Sequence, residues 1–289
     1  MRLLILGTLL VTAAAGCGRE GTHAACPGAA STTIAVGTSP SDIALNEVTG
    51  KAYVANYFSG DVTVIDTASN ETTTVRTGGE PEAVAVDAHT NRVYVTSYPT
   101  PTGPPGPMPG VGNDLTVIDG ATNVATPLEM AAGAGALVVN SANDKVYVSH
   151  FTGGNITVVD GPTNVTSTIA VGGGGALAVN PVTNKVYVGT GNGLAVIDGA
   201  TNATATWRVD NGPRALAVDS RTGKVYVSNG GKAGPVRSGP GAYTVTVFDP
   251  NRGPVPTVIR DTCLPSPSPG VTPLHPNCSR PVADDPSLK

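Results

Sequence analysis

Five aspartates stand at the same place in five similar segments of this 289-residue chain, and carboxylates in register are its first candidates for chemistry. Asp66, Asp119, Asp160, Asp198 and Asp249 close the runs VTVID, LTVID, ITVVD, LAVID and VTVFD. Taken singly, each could act as a general acid or base or bind a metal. Taken together, they are followed by DTASN, DGATN, DGPTN, DGATN and DPNRG, where an aspartate bonds its own backbone two residues on. Their recurrence in every unit assigns them to turns.

The remaining reactive groups are sparse. Of the histidines, His23 precedes the repeats, His89 lies in a turn, His150 in a loop and His275 near the C-terminus. No two are placed to converge, so neither haem nor a histidine-rich metal site is expected, and no cofactor is called for. There is no G-x-S-x-G turn. The glycine run at 172–175 precedes no helical pattern, which sets it apart from a phosphate-binding loop.

The elements that must position these groups repeat as well. Tyr-Val occurs in KAYVAN, NRVYVTS, DKVYVSH, NKVYVGT and GKVYVSN, with tyrosines Tyr53, Tyr94, Tyr147, Tyr187 and Tyr226. Successive tyrosines are about 40 residues apart, with one longer gap, and that period marks a four-stranded propeller blade. In the third unit the alternating runs predict strand a at 136–140, b at 145–149, c at 155–160 and d at 166–171. The a–b turns carry Gly, Asn or Asp just before their last residue, a position that wants a left-handed backbone.

The expectation is therefore an all-β chain, a β-propeller of about five four-stranded blades spanning 32–260, its ring closed by terminal strands. Five a–b–c sets come with six candidate outer strands, TTIAV (32–36) and PTVIR (256–260) being the terminal ones. Either could complete the last blade.

Two insertions, 99–113 and 230–242, fall in b–c loops, which share one face with the d–a loops. On that face Tyr57, Tyr98 and Phe151 follow the repeat tyrosine by three or four residues, and His150 precedes Phe151. The d–a loops add Asp42, Glu80, Glu82, Asp210 and Arg214. An aromatic rim with a few charges suits a binding mouth. The alternative is that the rings pack between blades and the insertions are tolerated surface loops.

Charged residues make up 13% and aromatics 4%, with 37 Gly and 25 Pro, which suits short strands and tight turns. A formal net charge of −4 argues against a nucleic-acid partner. The N-terminus reads as an export signal at 1–16, with Arg2 ahead of an apolar run and small residues. AAAGC makes Cys17 a lipidation candidate, though Ala13–Ala15 would also serve an ordinary signal peptidase. Residues 17–31 read as a tether and 261–289 as a Pro-rich tail. Cys26, Cys263 and Cys278 are the disulfide candidates, as Cys263–Cys278 or Cys26–Cys263.

The Tyr-Val strand and the V-I-D-x-x-T-N turn, in order and spacing, resemble the YVTN (YncE-like) family of β-propeller repeats over residues 32–260. The resemblance implies a propeller, with five repeat sets here where many members have seven blades. Similar propellers include lactonases and lyases, and others accompany quinone-dependent dehydrogenases. From the residues alone, the leading expectation is a non-enzymatic scaffold, lipid-anchored at the bacterial cell envelope, binding a protein, glycan or small ligand. A carboxylate-based lactonase or lyase and an accessory protein of a periplasmic redox system are the alternatives.

Overall fold

The structure, a computed structural model, describes residues 32–98, 115–130, 133–150, 153–191, 193–209, 212–230, 244–249 and 257–260. The expected signal, tether and tail segments, both insertions except Gly230, Phe151, Asp210 and all four cysteines lie outside the described residues. The strands belong to one compact unit, Val36–Lys289.

Strong alternation of Val, Ile and Thr gives twenty described strands in five antiparallel sheets, each paired in chain order. The first holds β1 (Pro40–Asn46), β2 (Lys51–Asn56), β3 (Asp61–Asp66) and β4 (Thr72–Arg76). The second holds β5 (Glu80–Asp87), β6 (Arg92–Tyr98), β7 (Leu115–Asp119) and β8 (Ala125–Leu128). The third holds β9 (Ala134–Asn140), β10 (Lys145–His150), β11 (Asn155–Asp160) and β12 (Thr166–Ala170). The fourth holds β13 (Leu177–Asn180), β14 (Lys185–Thr190), β15 (Gly193–Asp198) and β16 (Thr204–Arg208). The fifth holds β17 (Pro213–Val218), β18 (Val225–Asn229), β19 (Thr244–Phe248) and β20 (Thr257–Arg260).

Of the two candidate terminal strands, the structure uses the C-terminal one. Residues 32–36 form no strand, and β20 alone completes the last sheet. A hairpin partner from the same end of the chain closes a far shorter loop than a strand recruited from the other end, so it is entropically favoured.

The turns follow their residues. Gly50, Asn91, Asp144, Asn184 and Gly223 take positive φ before strand b, and Asn70, Asn123, Asn164 and Asn202 do so before strand d. Asp66, Asp119 and Asp198 accept the predicted bonds, as in Ala68 N–H to Asp66 Oδ1 at 3.0 Å and Ala121 N–H to Asp119 Oδ1 at 3.0 Å, and Asp160 accepts from Thr163 N–H. Hydrogen bonds from Ser69 and Ala68 hold the Asp66 carboxyl below its ordinary range, and those from Thr122 do the same for Asp119.

Neighbouring sheets pack face to face in sequence order, with a direction. Tyr53 packs with Val84, Val93 and Val95 of the second sheet, and Tyr94 with Val146 and Val148 of the third. Tyr147 meets Val186 and Val188 of the fourth, and Tyr187 meets Val225 and Val227 of the fifth. These four rings are at most 1% exposed, whereas Tyr226 of the last sheet is 39% exposed. Correspondingly, Ile43 and Leu45 of the first sheet are 64% and 52% exposed.

The basic residue before Tyr-Val supplies a second tie at the end of the sheets bearing the a–b and c–d turns. Lys51 Nζ donates to the Gly120 carbonyl of the next sheet at 2.7 Å, Arg92 donates to Gly161, and Lys145 to Gly199 at 3.3 Å. Asparagines bridge the same turns, Asn46 Nδ2 to Asn91 Oδ1 at 3.0 Å and Asn140 Nδ2 to Asn184 Oδ1 at 2.7 Å.

The Tyr53 hydroxyl is buried without a hydrogen-bond partner, and burial raises its pKa. The ring, not the hydroxyl, is therefore what stabilises the interface. Denaturant unfolding should show Tyr53→Ala losing about 3–5 kcal/mol, and Tyr53→Phe changing stability by less than about 1 kcal/mol.

Candidate functional site

The opposite end of the sheets is where the copies diverge. Strand a opens there with a β-bulge in the first, second, third and fifth sheets, and in the first, second and fifth the extra residue follows Pro40, Pro81 and Pro213. A bulge re-aims the side chain it carries. In the three bulges that follow proline the extra residues are Ser41, Glu82 and Arg214, so one backbone device presents a different group in each of these sheets.

Ser41 straps sheets together, its hydroxyl donating to the Pro81 carbonyl at 2.9 Å. Asp42, expected on the rim, is likewise occupied between sheets. Its carboxylate accepts from Ile43 N–H and, across the interface, from Val84 N–H, both at 2.9 Å. That satisfies an amide of β5, an edge strand, and gives Asp42 a tie between sheets.

His150, also expected on the rim, is a correction: it is 1% exposed. Its Nε2 lies 2.7 Å from Thr157 Oγ1. Asn56 and Asn229 make the same bond at the same strand position, to Thr63 at 2.9 Å and Thr246 at 2.8 Å. A ring of this length at the last position of strand b reaches the neighbouring strand rather than solvent.

Tyr57 and Tyr98 come together from adjacent sheets. Their ring centroids are 6.2 Å apart with planes inclined at 63°, and Phe58 joins them 5.2 Å from Tyr57 at 82°. Backbone bonds pin the loop, from Tyr57 N–H to Ser39 O at 2.9 Å and from Phe58 N–H to Thr38 O at 3.1 Å. Phe58 is 71% exposed. Hydrogen bonding toward Glu80 first, then burial and the nearby Glu80 and Glu82 charges, pushes the Tyr57 pKa up to about 12. The phenol therefore stays a neutral donor at any physiological pH.

Arg214 stands elsewhere on the same end, at a cleft of about 350 Å³ lined by glycines from 174 to 230, Thr190 and Pro213. Its side chain lies across Gly230 so closely that a methyl group there would displace it. The glycine run at 172–175 shortens β13, so the fourth sheet lacks the bulge and the cleft opens in its place. Glycine backbone and one guanidinium suit an anionic or carbonyl-bearing group. Among the described residues, no three His, Cys, Asp or Glu side chains gather closely enough to hold a metal ion, and no helix is long and apolar enough to cross a membrane.

No family model and no curated protein matches the sequence. Solved structures do match in shape. Hydrazine synthase of Kuenenia stuttgartiensis superposes with a TM-score of 0.61 at 16% identity, over 80% of this chain and 68% of that one. The β-propeller domain of Cps50 (Swd1) from Myceliophteria thermophila does so at 0.57 and 12%, over 75% and 67%. The chain folds as a β-propeller. A chain in the nidogen/laminin complex also matches, at 0.51 and 12% over 73% and 75%. At such identities the likeness concerns the fold.

Proposed function

We propose that this propeller is a binding scaffold at the cell envelope, exported and lipid-anchored through Cys17, and that its role is binding rather than turnover. Its blades are of the YVTN (YncE-like) type, five in number. The ring closes where the Tyr226 face of the last sheet meets the Ile43 and Leu45 face of the first. The repeat supports that closure, because every other tyrosine face is covered by the receiving face of the next sheet.

The observation that carries the binding reading is the corner of Tyr57, Phe58 and Tyr98 beside Glu80 and Glu82. It lies at the end of the sheets that the repeated ties leave free, and half-buried aromatics beside convergent polar groups mark ligand-contacting surfaces. Shape similarity to a chain of the nidogen/laminin complex is compatible with a protein partner. The N-terminal apolar run ending in AAAGC supports export and lipid attachment.

Two measurements test this. Immobilised wild-type protein should retain an envelope component that a Tyr57→Ala/Tyr98→Ala variant loses while keeping its melting temperature. Identical retention, or a turnover activity abolished by that variant, would overturn the scaffold reading. In cells, Cys17→Ser should move the chain from the membrane fraction to the soluble fraction; unchanged membrane association would count against the lipid anchor.

A further inference from the structure

Resting on the binding-face reading above, we propose that the corner of Tyr57, Phe58, Tyr98, Glu80 and Glu82 binds the ammonium headgroup of a small organic cation. Three features point to that class. The rings are steeply inclined, at 82° and 63°, so they cannot lie together against a flat sugar ring or base. They form instead a corner that accepts a compact, rounded group. Aromatic faces carry negative electrostatic potential, and they attract alkylated ammonium groups in particular, which shed water at little cost.

The carboxylates supply the second feature. Among the described residues, neither Glu80 nor Glu82 makes an ion pair, although both lie close enough to act on the Tyr57 hydroxyl. With no described cation of the protein within ion-pair distance of either carboxylate, two negative charges beside three rings leave a field that an external cation would complete. The third feature is construction. Glu82 occupies the bulge that re-aims its side chain, and the Tyr57–Phe58 loop is held by backbone bonds to Ser39 and Thr38. The rings and charges are thus positioned before a ligand arrives. Ca²⁺ is a poorer match, since it takes about 6–8 oxygen ligands and two carboxylates offer at most about four.

The test uses the full chain and calorimetric titration with choline. Its neutral analogue dimethylbutanol, in which carbon replaces the charged nitrogen, serves as control. Saturable choline binding that weakens with added salt, with no saturable binding of dimethylbutanol, is the expected result. Glu82→Gln should weaken choline about two- to fivefold, and Tyr98→Leu by a similar factor. Equal binding of both probes would overturn the cation assignment in favour of a merely apolar patch. If choline fails to bind while the Tyr57→Ala/Tyr98→Ala variant still loses an envelope component, the face binds a ligand of another class. Failure of both would remove the binding reading itself.

Discussion

The structure depends on one directional contact: the tyrosine of each sheet's second strand laid against the valines of the next sheet. A four-stranded antiparallel sheet with two apolar faces cannot stay in water alone, and each copy solves this by covering its neighbour. Tyr53, Tyr94, Tyr147 and Tyr187 are buried this way, and the small or β-branched residues opposite them in register leave room for the ring. Lys51, Arg92 and Lys145 add a polar tie in the same direction. Order along the chain becomes order in space because every described interface uses the same tyrosine contact.

That arrangement gives the sheets two different ends. At the end bearing the a–b and c–d turns, asparagine bridges and basic side chains lock neighbour to neighbour, which constrains those positions to repeat. At the other end the repeated ties are few, and the bulge offers a position whose side chain is free to vary. Ser41 there is a strap, Glu82 joins an aromatic corner and Arg214 stands at a cleft. The proposed function follows from this asymmetry: a platform rigid at one end and individual at the other.

Much of this was legible in the sequence, for physical reasons. Strand alternation, left-handed turn residues and aspartate turns are local, so Gly50, Asn91, Asp66 and Asp119 announce themselves. The basic ties were not legible, because Lys51 and Gly120 lie 69 residues apart and only stacking of sheets joins them. His150 was expected in a loop, since nothing local separates the last residue of a strand from the first of a loop. The bulges at Glu82 and Arg214 do carry a local signal, the proline just before each. Phe58 occurs in a single copy, so comparison among repeats passed over it.

In the proposed closed ring, the last interface is a fifth instance of the other four, with the Tyr226 ring set against Ile43. A double-mutant cycle of Tyr226→Ala and Ile43→Ala, read by denaturant unfolding, measures that contact directly. Closure predicts that the two losses are non-additive by at least about 0.5 kcal/mol. Losses that add to within about 0.3 kcal/mol would mean that the two faces do not meet, contradicting the ring.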